Sequence, residues 1–417
     1  MTAMAKSPAA SAAYDVARVR ADFPLLSRTV YGKKLIFLDS AASAQKPRAV
    51  IDAVARCYEN EYANVHRGVY YLSQKATDAF EAVREKMRAF LNANETREIV
   101  FVRNGTEGMN LVAQSWGASH LKAGDEIVLS TFEHHSNIVP WQMLRDRLGV
   151  VIKVVPMDEA GNFLLGEYEK LLSPKTKLVA VTHCSNVLGT ITPVREIARL
   201  AHRAGAKVLV DGCQAAPRLA VDVRDLDCDF YVVTGHKMYG PSGTGAVYAK
   251  AEILEAMPPW QGGGGMIRRV TFEKTEYAEI PYRFEAGTPH IAGTIGLGAA
   301  LDYVRGLGLE AIERHEAALL DYATRRLSEI NSVRLVGTAA EKSAILSFNI
   351  GEVHPHDVGT VLDREGVAVR VGHHCAQPLM DRLGLVAAVR ASFGVYNTMA
   401  DVDRLHDAVL KVQRFFA

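Results

Sequence analysis

Lys237 stands in "VVTGHKMYGPSGTGAVY" (232–248), between a β-branched run and a glycine-rich turn. A lysine at the edge of an apolar strand can lose its proton when desolvated and then attack a carbonyl to give a Schiff base. The plainer reading is a lysine snorkelling out of a strand end, and the residue alone favours it. Its flanks point the other way. Thr234, His236, Gly240, Gly243 and Gly245 offer donors and close backbone approach, which suit a phosphate. Asp211, in "VLVDGCQAAP" (208–217), ends another apolar run. A carboxylate there would either cap a helix or hold a protonated ring nitrogen, and the residue by itself leaves both open. Gln214, one helical turn on, would reach a ring hydroxyl.

Three further segments repeat the pattern. "VRNGTEGMNLV" (102–112) reads as strand, turn and helix; free N–H groups at such a helix start favour an anion, with Gly105 allowing approach and Thr106 adding a hydroxyl. An ordinary Thr106 cap explains that motif equally simply. In "STFEHHSNIVPWQ" (130–142), His134 follows a strand end and could stack on a planar cofactor, with His135 pointing elsewhere. In "THCSNVLGT" (182–190), Asn186 is placed to bind a cofactor hydroxyl or a carboxylate, or simply to make a turn. Five such groups, each just past a predicted strand, mark one edge of one sheet. A carboxylate and a lysine there suit pyridoxal phosphate, whose protonated ring acts as an electron sink. Separately, "RVGHHCAQP" (370–378) sets two histidines beside Cys375. It reads as a metal site, a reactive thiol or a plain turn. Neighbours in an extended segment point to opposite faces, which argues against a shared metal.

The elements that must carry these residues alternate. Segments 98–104, 126–131, 150–156, 177–183, 207–212 and 229–235 read as buried strands. Helical patterns lie between them, as at 106–116 and at 193–205, which opens on Pro193 and closes on Gly205. Such alternation predicts a largely parallel sheet with helices on both faces. After about residue 300 the pattern changes. A long helix (309–330), strands at 344–350 and 367–372, and a helical C-terminus predict a smaller α+β domain.

The bulk properties narrow the class. The chain has 417 residues, 48% apolar and 23% charged, with a formal net charge of +1. That length suggests two domains or one large one with an extension, and the charge gives no field for nucleic acid or an anionic membrane. The long uncharged stretch Ala286–Leu301, broken by glycines, is too short and too polar to span a bilayer. Five cysteines without CxxC spacing predict no disulfide framework and a reducing, cytoplasmic setting. The alanine-rich start lacks a continuous apolar core and carries Asp15, so no secretory signal is expected; its first dozen residues read as a frayed tail.

Taken together, "ANVHRGVYYLS" (63–73), "RNGTEGMNLVA" (103–113), "EHHSNIVPWQ" (133–142), "SNVLGT" (185–190), "DGCQAAP" (211–217), "TGHKMYGPSGTG" (234–245), "RFEAGTP" (283–289), "GHHCAQP" (372–378) and "RASFGVYNT" (390–398) resemble a pyridoxal-phosphate enzyme of the class V aminotransferase family, fold type I. More narrowly they resemble the group II, SufS-like cysteine desulfurases. The likeness runs from about residue 35 to 400, and the cysteine loop is its most specific motif.

The resemblance implies an α/β fold of the pyridoxal-phosphate-dependent transferase type. A large domain (33–304) would hold a mostly parallel seven-stranded sheet. A smaller α+β domain (1–32 and 305–417) would carry the Cys375 loop. It implies that Lys237 binds the cofactor covalently, Asp211 pairs with its ring nitrogen, Gln214 reaches its ring oxygen and His134 stacks on the ring and assists catalysis. Gly105, Thr106, Thr234 and His236 would hold the phosphate, with Thr288 supplied by the other subunit of a homodimer. Asn186 would touch both cofactor and substrate, Arg390 would grip the substrate carboxylate, and Arg370 and His66 would also bind substrate. Cys375 would take sulfur from L-cysteine as a persulfide, releasing L-alanine. A sulfur-acceptor protein of the SufE or SufU kind would relieve it, feeding iron–sulfur cluster assembly. Selenocysteine lyase and cysteine-sulfinate desulfinase share the scaffold. No metal, nucleic acid or membrane is implied. Val371 stands where the family usually has Thr or Ala, and Gly265 where it often has a polar residue; Cys184 and Cys213 read as packing residues.

Overall fold

The computed structural model describes residues 14–416, so the expected frayed dozen residues at the start lie outside the described range. The large sheet has seven strands: β1 (Ile99–Val102), β2 (Glu126–Ser130), β3 (Val151–Val155), β4 (Thr176–Thr182), β5 (Lys207–Asp211), β6 (Phe230–Thr234) and β7 (Gly245–Ala249). Their order is β1-β7-β6-β5-β4-β2-β3. β7 runs antiparallel to both neighbours, and the other six share one direction. The α/β class with a mostly parallel seven-stranded sheet is therefore as expected.

Alternation along each strand builds two cores. Val128, Val179, Val181, Val208, Val210, Tyr231 and Val233 pack on one face. Ile127, Leu129, Leu178, Ala180, Leu209, Phe230 and Val232 pack on the other. Both faces are covered by helices, so the central strands read as unbroken apolar runs. β3 is the exception. It is an edge strand, with Val151 and Val154 exposed, and was expected to be buried. Its Lys153 bonds Glu126 at 2.8 Å and blunts the edge.

The helix Ile291–Leu307 is buried along most of its length. Small residues let it press close. A Cβ on Gly298 would stand 2.7 Å from Val83, and one on Gly296 would stand 2.6 Å from Val54. Among the described residues no helix is long and apolar enough to cross a membrane.

The second sheet is fully antiparallel: β8 (Val333–Val336), β9 (Ile345–Ile350), β10 (Arg370–Gly372) and β11 (Ala388–Ser392), in the order β8-β9-β11-β10. Its core joins Leu346, Phe348 and Val389 to the helices Leu309–Ser328, Pro355–Arg364 and Met399–Phe416. The single strand expected at 367–372 is two. Val367–Ala368 pairs in parallel with Ile36–Phe37, and only β10 joins the sheet. That pairing stitches the early chain to the C-terminal part.

Candidate active site

The carboxyl ends of the parallel strands converge on a cavity of about 320 Å³, lined by Gly105, Thr106, His134, Asn186, Asp211, Gln214, Thr234, His236, Lys237, Arg370, Cys375 and Arg390. Twelve of the fourteen residues named above thus meet in one place. The other two, His66 and Thr288, do not. They line a separate cavity of about 420 Å³ with Tyr282 and Glu285. His66 is bonded there to Glu81 at 2.8 Å, so within one chain it cannot serve as a substrate ligand of the Lys237 cavity.

Each wall has a local cause. Asn104, not Thr106, caps the helix after β1, accepting the Glu107 N–H at 2.8 Å. The Thr106 hydroxyl is thereby spared for the cavity. Gly105 is required by close approach, since a Cβ there would stand 2.7 Å from Cys213 Sγ. Cys213 and Cys184 are buried, and burial raises both thiols, in keeping with packing roles. Lys237 ends a short 3-10 turn (Gly235–Lys237) directly after β6. A Cβ on Gly235 would fall 2.1 Å from Thr244 Oγ1.

His134 follows β2 and caps the next turn, its Nδ1 accepting the Ser136 N–H at 3.1 Å. Burial first, and the Lys237 charge second, hold its pKa down at about 4. The ring is neutral at neutral pH. The residue before it is one that sequence reasoning missed. Glu133 is fully buried and accepts from the Thr182 N–H at 3.0 Å, from Asn137 Nδ2 at 2.6 Å and from the Ser130 hydroxyl. Burial pushes its pKa up to about 8. The signal available was a carboxylate at a strand end with an Asn four residues on.

Asp211 ends β5, with Oδ1 accepting the Cys213 N–H at 3.0 Å. Gln214 spends its Nε2 on the Ala41 carbonyl at 2.7 Å, leaving its buried Oε1 unpartnered. Thr234 Oγ1 and Arg390 Nε are likewise buried without partners. His236 is held down at about 4 by burial, then by Lys237 and Lys46. Lys46, also missed, donates to the His236 carbonyl at 3.2 Å.

Asn186 lines the cavity and also reaches the loop. Its Nδ2 donates to the His374 carbonyl at 2.7 Å, so part of its work is to hold the cysteine loop. Its own carbonyl accepts from Arg390 Nη1 at 2.7 Å. Arg390 lies opposite Arg370 in the β10–β11 register. Burial lowers the Arg390 pKa to about 10, which leaves it charged at neutral pH. Between the two arginines sits Asp39, 2.8 Å from Arg370 and 3.5 Å from Arg390, a third residue that the motifs did not single out.

The loop 373–377 is not extended. His374 and Cys375 have φ of 54° and 56°, and Gly372 has 124°. The premise used against a metal therefore fails, yet among the described residues no cluster of three His, Cys, Asp or Glu could hold one. His374 turns inward, its Nε2 within 3.1 Å of the Ala388 carbonyl. Cys375 is exposed, and the other four cysteines are buried.

The arrangement fits pyridoxal phosphate. The cavity lies within the usual size of a ligand site. A carboxylate, a neutral imidazole and a lysine surround its floor. The orphaned Thr234 hydroxyl can donate to a phosphate, and the orphaned Gln214 Oε1 can accept from a ring hydroxyl.

Comparison with known proteins agrees. Residues 36–405 match the family model Aminotransferase class-V. A cysteine desulfurase from Synechococcus elongatus is 52% identical over 97% of this chain, which spans 65% of that protein's length. A cysteine desulfurase from Dickeya dadantii is 52% identical over 96% of this chain and 97% of its own. The crystal structure of the cysteine desulfurase CsdA (S-sulfonic acid) from Escherichia coli superposes with a TM-score of 0.90 at 38% identity, covering 97% of this chain and 100% of that one. The chain belongs to the class-V aminotransferase family, alongside the cysteine desulfurases.

Proposed function

We propose that the protein is a pyridoxal-phosphate-dependent cysteine desulfurase that converts L-cysteine to L-alanine and leaves the sulfur as a persulfide on Cys375. One observation carries the reading: Cys375, from the small-sheet side, shares a single cavity with Lys237, Asp211 and Arg390. When bound, pyridoxal phosphate supplies an electron sink conjugated to the substrate α-carbon. Lys237 would hold it covalently, Asp211 would keep its ring nitrogen protonated, and His134 would cover its face. Thr106, Thr234, His236 and Gly105 would cradle the phosphate.

The chain's own groups then act on the amino acid. Arg390 binds the α-carboxylate with charge-assisted bonds, and Arg370 extends that positive wall. Lys237 takes the α-proton and returns protons to the carbon skeleton. The Cys375 thiolate attacks the substrate sulfur. An S–S bond forms, the Cβ–S bond breaks, and its electron pair takes a proton to complete the alanine methyl group. No outside oxidant is needed.

The finer readings belong to the same proposal. The division at 33–304 against 1–32 and 305–417 separates the cofactor floor from the sulfur-carrying loop. Thr288 and His66 face a cavity that a second copy in a homodimer would complete. A SufE- or SufU-like acceptor would take the persulfide for iron–sulfur cluster assembly in the cytoplasm. Selenocysteine lyase or cysteine-sulfinate desulfinase activity uses the same clamp.

The test is alanine and persulfide formation from cysteine, with selenocysteine and cysteine sulfinate run in parallel. Cys375→Ser should keep the cofactor's visible absorbance and lose the persulfide. Undiminished sulfur mobilisation by that variant would refute the assignment.

A further inference from the structure

His135 takes no part in the Lys237 cavity, yet it makes two bonds to the cysteine loop. Its backbone N–H donates to the Cys375 carbonyl at 2.7 Å. Its ring Nε2 accepts the Gln377 N–H at 3.0 Å. A backbone amide can only donate, so Nε2 carries the lone pair and the ring is the neutral Nδ1–H tautomer. The two bonds grip the loop on either side of Ala376. The His373 ring lies 5.6 Å from that of His135, and its Nδ1 accepts the Cys375 N–H at 3.2 Å. Adjacent histidines thus face different tasks: His134 lines the cavity, and His135 faces the loop.

Two consecutive non-glycine residues in the left-handed region, His374 and Cys375, hold only where their surroundings over-determine them. Besides His373 within the loop, the donors and acceptors that do so come from outside it: His135 after β2, and Asn186 after β4. We propose that His135 is a positioning residue that docks the sulfur-accepting loop onto the end of β2, and so sets where the Cys375 thiol stands relative to the Lys237 cavity. This rests on reading Cys375 as the sulfur acceptor. The backbone bond survives substitution by alanine or glutamine, whereas the ring bond needs an acceptor at the Nε2 position. Glutamine can place its Oε1 near the Nε2 position and accept from Gln377; alanine cannot.

The test compares full-length holoenzyme as wild type, His135→Ala and His135→Gln. Three quantities are read: the alkylation rate of Cys375 by iodoacetamide, followed by mass spectrometry of its peptide; kcat and KM for alanine formation from cysteine; and the cofactor absorbance. For His135→Ala, alkylation should rise about fivefold as the loop is released, and kcat should fall about tenfold. KM should stay within about twofold, with the absorbance unchanged. His135→Gln should bring both rates back to within about threefold of wild type. The proposal is overturned if alanine matches wild type, if glutamine fails as badly as alanine, or if the absorbance is lost. If wild type itself forms no persulfide on Cys375, the sulfur-transfer reading fails separately, and the alkylation comparison still decides whether His135 docks the loop.

Discussion

The strand-end floor and the cysteine loop are built on opposite plans. On the floor, Asp211, Thr234, Asn186 and Glu133 are all buried, and each stands on a strand or within a few residues of its end. The loop's backbone passes through left-handed conformations, and Cys375 is exposed. The floor is rigid because the sheet cannot move beneath it. The loop is held by a handful of bonds to His135 and Asn186. The proposed reaction, which retains a cofactor and exports a sulfur atom, would draw on both plans.

The sharpest way to break the comparison is to disable one side at a time. Lys237→Ala and Cys375→Ser should each lower sulfur transfer by about a thousandfold or more. Only the lysine variant should lose the covalent cofactor absorbance. Equal loss of that band in both would mean that the two regions are one.

Stability should separate them next. Glu133→Ala strands three donors in the core and should cost about 3 kcal/mol in urea unfolding. An acid limb should follow. His134 has a folded pKa of about 4 against an ordinary 6.5, so the unfolded chain binds the proton first. Its contribution is full above about pH 6.5 and is lost as pH falls toward 4, by about 3 kcal/mol at most. His134→Asn should flatten that limb. His236 acts in the same direction. Glu133, raised to about 8, works the opposite way, losing its contribution as pH rises through the neutral range. The smallest effect belongs to the exposed rim. Arg370→Ala should cost less than about 1 kcal/mol of stability while weakening substrate binding.

The floor was legible in the sequence because parallel strands advertise themselves as apolar runs, and their C-terminal ends are where ligands bind. β7 escaped, since "GAVYA" reads as the tail of the glycine-rich turn until its pairing is seen. Asp39 and Lys46 escaped for another reason. Each reaches a partner far along the chain, which no local spacing encodes. Glu133 had a local signal in Asn137, but its bond to the Thr182 N–H crosses to another strand. His66 was drawn in by its motif, and the structure of one chain places it at a different cavity. The loop's left-handed turn was hidden as well, because two consecutive non-glycine residues seldom take a positive φ.

That turn has a consequence for delivery. With the backbone on both sides of Cys375 already committed, the sulfur has one inexpensive freedom, rotation about its own Cα–Cβ bond. Its terminal atom sweeps a short arc rather than swinging on an arm. If Cys375 carries sulfur as proposed, a molecule collecting it must therefore bring its own reactive group to the mouth of the cavity. On that reading the protein works as a fixed counter, and the reach lies with the customer.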